Sequence, residues 1–216
     1  MKHIVITGSV AVGKSYTQDR IISYLKSSHI DFNLYPEFIY ENPLGLQILN
    51  GRFKGEVSGL TMQNYILDCW MQFSKREPKN INIYERLPDD AVKVFAKLYL
   101  SDDEYKTQLN YLEKIPILSY ENMDPKKTLW ISYNNNIKAD RFSELIKHLK
   151  FGLNHEKIEY IVIHIKSSSA YENYKKRNRA GEFYTNEDLE NLYNYYEEYT
   201  KDLIKMISPS WMVYIE

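Results

Sequence analysis

The chain has 216 residues and a formal net charge of −1; 44% of its residues are apolar and 26% are charged. These values are typical of one soluble globular domain, and they exclude the global basic field of nucleic-acid or anionic-membrane binders. Its one cysteine, Cys69, excludes an internal disulfide. No window approaches the roughly 18 apolar residues of a membrane span, and the first residues do not resemble a signal peptide. The sequence predicts a cytoplasmic protein of a single domain over residues 1–216.

Short apolar runs rich in β-branched and aromatic residues predict buried strands. The clearest runs cover residues 3–7, 32–35, 81–84, 160–165 and 211–215, and a further run at 129–133 is harder to place. Helical periodicity covers residues 14–27, 61–73, 89–100 and 186–207. Strands that alternate with helices predict a three-layer α/β fold with a parallel sheet of five strands. Residues 107–155 receive no firm assignment.

Residues 8–15 lie between the first predicted strand and the first predicted helix and read GSVAVGKS. They match the phosphate-binding pattern G-x-x-x-x-G-K-S/T, in the strand–loop–helix context that this pattern requires. Glycines let backbone N–H groups turn inward around a phosphate, and the following helix adds the positive end of its dipole. The predicted ATP-binding loop consists of Gly8, Ser9, Val10, Ala11, Val12, Gly13, Lys14 and Ser15. Lys14 is expected to reach the β- and γ-phosphates, and the Ser15 hydroxyl to ligate Mg²⁺.

Further candidate site residues follow the loop in a fixed order. They are Glu37 after the second predicted strand, Gln63 and Trp70 on the 61–73 helix, Glu85 and Arg86 at the end of the third strand, Ala91 and Phe95 on the next helix, and Arg177, Arg179 and Glu182 after the 160–165 strand. This order resembles the deoxynucleoside kinase family, a group of P-loop kinases with an arginine-rich lid of the form R-x-R-x-x-E. Pro36-Glu37, Arg86-Leu87-Pro88 and the lid sequence are most similar to the thymidine kinases of herpesviruses.

The resemblance implies which residues transfer the phosphoryl group. Glu37 corresponds to the general base that takes the proton of the nucleoside 5′-hydroxyl, and Arg86 to the residue that holds Glu37 and the 5′-oxygen in place. Glu85 corresponds to the acidic residue that positions Mg²⁺ and its water. Arg177 and Arg179 correspond to lid arginines, in a lid of about residues 173–185, that neutralise the transferring phosphoryl group.

The resemblance also implies where the acceptor binds. Gln63 corresponds to the glutamine that pairs with the edge of the base, Phe95 to an aromatic that stacks on it, and Glu182 to the residue that accepts a hydrogen bond from the sugar 3′-hydroxyl. Trp70 is expected to narrow the base pocket. Ala91 leaves room for a 5-methyl group, which favours thymidine or another pyrimidine.

Several positions depart from the family pattern, among them Trp70, where relatives carry Arg or Met. Asn173 stands where an earlier lid arginine is expected, and Arg52 or Phe53 occupies the region of the tyrosine that contacts the 3′-hydroxyl. The resemblance thus implies transfer of the γ-phosphoryl group of ATP, with Mg²⁺, to the 5′-hydroxyl of a deoxynucleoside. It also allows for a homodimer. The alternatives are a nucleoside monophosphate kinase such as thymidylate kinase, a P-loop ATPase or GTPase switch, and a nucleotide-binding module without activity.

Overall fold

The structure is a computed structural model that describes residues 1–37, 43–135, 141–167, 169–177 and 184–216. Its six strands run parallel in one sheet with the spatial order β2-β3-β1-β5-β4-β6. The strands are β1 (Lys2–Thr7), β2 (Asn33–Tyr35), β3 (Ile81–Glu85), β4 (Thr128–Asn134), β5 (Tyr160–Lys166) and β6 (Trp211–Ile215). Because parallel strands end at the same edge of a sheet, the residues that follow β1, β2 and β3 come together there.

The prediction of a parallel α/β sheet is confirmed, but the prediction of five strands was wrong by one. β4 contains the run at 129–133, and it lies between β5 and β6. Leu129, Trp130 and Ile131 are almost fully buried, as expected for an interior strand covered on both faces. Spatial order depends on how each crossover packs against the sheet, so the local sequence pattern could not place this strand.

Helices connect most of the strands. The described α-helices are α1 (Lys14–Ser27), α2 (Pro43–Phe53), α3 (Gly59–Phe73), α4 (Pro88–Asp90), α5 (Lys97–Tyr99), α6 (Asp102–Leu112), α7 (Phe142–Asn154), α8 (Ala170–Arg177) and α9 (Asn186–Ile207). A π-helix, Ala91–Ala96, joins α4 to α5, and 3₁₀ turns cover Tyr120–Asn122 and Pro125–Lys127. Within the described ranges, no helix is long and apolar enough to cross a membrane.

The helices cover both faces of the sheet and so form the three predicted layers. Ile4 and Ile6 of β1 pack in one apolar cluster with residues of α1 and α7. Val5, between them, packs in a second cluster with residues of α3 and α9. This alternation follows from the two-residue period of a strand, and each fully buried aliphatic side chain contributes about 1.5–3 kcal/mol to folding.

Two helices show how local sequence sets their form. Ser58 caps α3: its side-chain oxygen accepts a hydrogen bond from the Thr61 backbone N–H at 3.0 Å. The predicted helix at 89–100 is present as α4, the π-helix and α5, a continuous helical segment from 88 to 99. Single π-turns inside helices are frequent at functional sites, and this one begins at Ala91 and contains Phe95.

His164 on β5 gives the fold a testable dependence on pH. Burial, together with the nearby Lys166 and against the opposing effect of Glu197, lowers the pKa of His164 from its ordinary 6.5 to about 4. Because the unfolded chain binds this proton more readily, the stability contributed by neutral His164 is complete above about pH 6.5 and is lost as the pH falls towards 4. We expect His164 to remove about 2 kcal/mol of unfolding free energy between pH 7 and 5.

The check is urea unfolding of the wild type and of His164→Gln at both pH values. The glutamine variant cannot lose stability through protonation of His164. The unfolding free energy of the wild type relative to that of the variant should therefore be about 2 kcal/mol smaller at pH 5 than at pH 7. Other titrating groups cancel in that difference, including Asp90, whose pKa burial raises to about 6 and which acts in the opposite direction. A constant difference across this pH range would contradict the prediction.

Candidate active site

Residues 8–15 form a tight loop between β1 and α1 at the carboxyl edge of the sheet. The backbone φ is positive at Gly8 (140°), Ala11 (60°) and Gly13 (94°), a pattern that curls successive N–H groups around one point. At Gly8, a Cβ atom would lie only 2.4 Å from the carbonyl oxygen of Ile165, so a side chain cannot fit. The loop therefore has the anion-binding form that its sequence predicts.

Lys14 and Ser15 open α1 and supply the polar side chains of the loop. The Lys14 side chain is buried, and its Nζ donates to the Ser9 carbonyl at 2.7 Å. The Ser15 hydroxyl donates to Glu85 Oε1 at 3.3 Å. An ammonium and a hydroxyl thus lie at a helix N-terminus, where backbone groups and the helix dipole favour a phosphate.

Glu85 ends β3 and is buried beside this loop. Burial raises the pKa of its carboxyl, as does the nearby Glu37, while Lys14, Arg86 and Ser15 act in the opposite direction. A cation would relieve the cost of this buried carboxylate, and carboxylate and hydroxyl oxygens are suitable ligands for Mg²⁺. No described cluster of three or more His, Cys, Asp or Glu residues could hold a metal alone. The site fits a Mg²⁺ ion that takes its other ligands from nucleotide phosphates and water.

Arg86 joins Glu37 to the phosphate loop. Its Nη1 forms an ion pair with Glu37, and its Nη2 donates to the Gly8 carbonyl at 3.3 Å. The guanidinium carbon lies 4.7 Å from the centre of the Phe95 ring. The Arg86 backbone has φ 66°, and its N–H donates to the Ile6 carbonyl at 2.9 Å. A left-handed arginine costs stability and is retained where its surroundings fix it, as at functional sites.

The surroundings of Arg86 favour the protonated form of its guanidinium. Burial lowers the pKa of the guanidinium, but Glu37, Tyr196 and Glu85 outweigh that effect, so the net pKa is raised. The Arg86 guanidinium therefore stays cationic and holds the Glu37 carboxylate in an ion pair.

One cavity of about 390 Å³ is lined by seven of the residues that the sequence predicted for the site. Three of its lining residues, Glu37, Glu85 and Arg86, are charged, and Glu85 and Arg86 bond the phosphate loop at Ser15 and Gly8. The lining also includes the sequence-predicted residues Gln63, Trp70, Ala91 and Phe95. The fold therefore brings together seven residues from β2, β3, α3 and the π-helix that are far apart in sequence. A volume of this size is suitable for a nucleoside-sized ligand.

Gln63 is the unusual group in this cavity. Its side chain is fully buried on α3, and neither its amide oxygen nor its amide nitrogen has a hydrogen-bond partner among the described residues. Leaving such a group unpaired costs about 1–3 kcal/mol, so buried amides are normally satisfied. An amide that lines a cavity in this state fits a ligand offering one acceptor and one donor side by side.

Four of the further residues that line the same cavity are polar and were not predicted as site residues: Arg52, Tyr99, Tyr184 and Asp188. The Arg52 guanidinium carbon lies 5.1 Å from the centre of the Tyr99 ring, and its buried Nε has no described hydrogen-bond partner. The sequence showed that Arg52 occupies the region of an expected tyrosine, but α2 itself lacks a clear periodic pattern. Tyr184 and Asp188 had no signal, since they resemble ordinary residues at the start of a helix.

The lid prediction lies outside the described residues. Arg179 and Glu182 fall in the range 178–183, and Arg177 ends α8 with a side chain that is not described. Their proposed roles therefore stay predictions. Asn173 on α8 is described, and its amide nitrogen donates to the Ala11 carbonyl of the phosphate loop at 3.4 Å.

Comparison with solved structures places this architecture among known folds. A structure of deoxyadenosine kinase from M. mycoides with bound dATP matches with a TM-score of 0.60 at 19% identity, over 99% of this chain and 90% of that one. A structure of the same kinase with the products dCMP and a flexible dCDP bound matches with a TM-score of 0.61 at 20% identity, over 99% and 89%. No protein-family model and no curated protein matches the chain.

The chain is therefore an α/β protein with a phosphate-binding loop at the carboxyl edge of its sheet. Its fold is that of the P-loop deoxynucleoside kinases. The two matched structures are not viral thymidine kinases, so the closer likeness to those enzymes stays a prediction.

Proposed function

We propose that this chain is a deoxynucleoside kinase that transfers the γ-phosphoryl group of ATP to a 5′-hydroxyl group. The observation that carries the proposal is the single cavity that joins the Glu37–Arg86 pair to the unpaired amide of Gln63, beside the phosphate loop. The cavity therefore exposes a base-reading amide and a proton acceptor to the same ligand, and the proton acceptor lies on the side of the phosphate loop.

The transfer follows from this arrangement. The 5′-oxygen forms a bond to the γ-phosphorus, the bond from that phosphorus to the β,γ-bridging oxygen breaks, and ADP leaves. Glu37 accepts the proton of the 5′-hydroxyl, while Arg86 holds the carboxylate in position. Lys14 and the loop N–H groups neutralise charge on the phosphates. Mg²⁺, held through Ser15 and Glu85, supplies further neutralisation when bound.

Thymidine or another pyrimidine is the proposed acceptor. The thymine edge offers an N–H donor beside a carbonyl acceptor, which matches the oxygen and nitrogen of the Gln63 amide. Around it the cavity wall is apolar, with Trp70 and Ala91, and Ala91 leaves space for the 5-methyl group. Phe95 provides the aromatic face on which the base would stack.

The direct test is an ADP-release assay with each of the four deoxynucleosides, with dTMP, and without any acceptor. The proposal predicts release that depends on a deoxynucleoside and is fastest with thymidine. Release without an acceptor would favour an ATPase or GTPase-type switch instead. ATP binding without release under any condition would leave a nucleotide-binding module.

Arg52 favours a second candidate, a nucleoside monophosphate kinase. Such an enzyme needs a cation in the acceptor cavity to hold the acceptor's own phosphate, and Arg52 with its unpartnered Nε lies there. Faster turnover of dTMP than of thymidine, lost in Arg52→Ala, would establish this candidate in place of the first.

The base preference can be tested at Ala91. Replacement with aspartate should crowd the 5-methyl group and place a carboxylate opposite the O4 of thymine, while accepting from the amine of cytosine. We expect Ala91→Asp to shift the ratio of kcat/KM from thymidine towards deoxycytidine by about ten- to a hundredfold. Competition between the two nucleosides at equal ATP measures this ratio. Ala91→Ser is the control for size without charge, and an unchanged ratio in the aspartate variant would show that residue 91 does not contact the base.

A further inference from the structure

The five carbonyl groups of residues 8–12 in the phosphate loop each accept a hydrogen bond from a side chain. Two of the donors belong to the site already described: Arg86 bonds the Gly8 carbonyl at 3.3 Å and Lys14 bonds the Ser9 carbonyl at 2.7 Å. The other three donors come from elements that the proposed chemistry does not use. They are the Tyr193 hydroxyl to Val10 at 3.0 Å, the Asn173 amide to Ala11 at 3.4 Å, and the Asn135 amide to Val12 at 3.0 Å.

Peptide geometry gives these bonds a consequence for phosphate binding. In a planar trans peptide, the carbonyl of one residue and the N–H of the next point in opposite directions. A side chain that holds the Val10, Ala11 or Val12 carbonyl outward therefore aims the N–H of the following residue inward. The N–H groups of residues 11–13 are among those that the loop offers to a phosphate.

The loop backbone has a reason to need this support. Ala11 has φ 60°, a left-handed conformation that costs an alanine stability and that a free loop would leave. The Val10 and Ala11 carbonyls, which flank this strained residue, are the ones that Tyr193 and Asn173 bind. Gly13 also has a positive φ, and the Asn135 amide fills the space beside it, 2.2 Å from where a Cβ would lie.

The three donors come from three different elements. Asn135 directly follows β4, the strand inserted between β5 and β6, and its backbone N–H donates to the Lys166 carbonyl at 2.8 Å. Asn173 lies on α8, where the predicted lid begins, and Tyr193 lies on α9, beyond the end of the predicted lid. The loop is thus held by the sheet and by two helices.

We propose that Asn135, Asn173 and Tyr193 are positioning residues for the phosphate donor, which fix the loop backbone in its anion-binding form before the nucleotide arrives. The proposal rests on the nucleotide-binding part of the proposed function, and not on which acceptor is phosphorylated. Preformed binding groups raise affinity because the ligand does not have to order them.

The experiment is calorimetric titration of ADP into the wild type, Asn135→Ala, Tyr193→Phe and the double variant. Each single variant should bind ADP about two- to tenfold more weakly, because each loses one hydrogen bond to the loop. The double variant should be weaker than either one. In the ADP-release assay the KM for ATP should rise in the same order, and the KM for the acceptor should stay unchanged.

Two control variants separate positioning from stability. Asn33→Ala removes an amide-to-carbonyl bond of 2.8 Å at Glu77, near the opposite edge of the sheet. Tyr195→Phe makes the same change as Tyr193→Phe two residues further along α9. Both controls should bind ADP like the wild type, even where their melting temperature falls as far as that of the test variants.

Wild-type ADP affinity in the test variants, or equal weakening in the controls, would overturn the proposal. Since ADP binding requires no phosphoryl transfer, a protein that binds ADP but phosphorylates no acceptor would refute the kinase proposal alone. If the wild type bound no ADP, both the kinase proposal and the positioning proposal would be refuted.

Discussion

Lys14→Ala is expected to lower kcat by about two to three orders of magnitude while the fold is retained. The ammonium is buried within the phosphate loop, where its charge is worth more than in water, and it donates a hydrogen bond to the Ser9 carbonyl at 2.7 Å. Removing one preorganised group that stabilises transition-state charge typically costs about 10²–10³ in rate. Steady-state ADP release with saturating acceptor measures the change.

Lys79→Ala is the matched control for this experiment. Lys79 forms an ion pair of 2.8 Å with Asp31 away from the loop, on a largely exposed surface. An exposed pair of this kind contributes little, so both turnover and stability should stay close to wild type. If Lys14→Ala kept near-normal turnover, the loop would not bind the transferred phosphate and the kinase assignment would fail.

The sequence predicted the fold to the extent that local patterns specify it. The apolar runs that became β1, β3, β5 and β6, and the periodic segments at 14–27, 61–73 and 186–207, were assigned correctly because each pattern extends over nearly the whole element. The second half of α6 and the whole of α7 lay within the unassigned range 107–155. α6 has only Gln108 fully buried, so its apolar face is weakly marked. The position of β4 within the sheet depends on contacts with β5 and β6 that no local pattern contains.

The site residues also divide into those that a local sequence pattern indicates and those that it does not. Residues 8–15 could be recognised from sequence because one continuous motif carries all of the geometry. Glu37, Gln63 and Glu85 could be suggested from their order along the chain, and the structure places them in one cavity. Arg52 and Asn135 gave no such signal, because their importance comes from what they face: the cavity in one case and a loop carbonyl 123 residues away in the other.

Arg86 shows why such sites are hard to predict residue by residue. Arginine rarely adopts a left-handed backbone conformation, and the tripeptide Glu85-Arg86-Leu87 contains no signal that predicts one. The conformation is held by contacts from other parts of the chain: the Ile6 carbonyl, the Gly8 carbonyl and the Glu37 carboxylate. The backbone conformation of Arg86 therefore differs from the one that its residue type favours, and this happens at the position where the proposed chemistry needs a fixed cation.

Glu37→Gln is expected to lower kcat by about two to four orders of magnitude with little change in ATP affinity. Glutamine has nearly the shape of glutamate, and its amide oxygen can still accept from Arg86, so the cavity should keep its form. What the variant loses is the ability to take the 5′-hydroxyl proton, and Glu37 lines the cavity in an ion pair with Arg86, which bonds the phosphate loop at Gly8. Turnover is measured by ADP release and nucleotide affinity by calorimetry.

Glu159→Gln is the matched control, because Glu159 forms an ion pair of 2.8 Å with Lys127 at the amino ends of β4 and β5, away from the cavity. This control should be active like the wild type. A Glu37→Gln variant with wild-type kcat would show that Glu37 does not accept the proton. A variant that lost ATP affinity together with turnover would instead show that the Glu37–Arg86 pair supports the phosphate loop through Gly8. The predicted outcome, a large fall in kcat with unchanged ATP affinity, is that of a group that acts in the transition state and not in nucleotide binding.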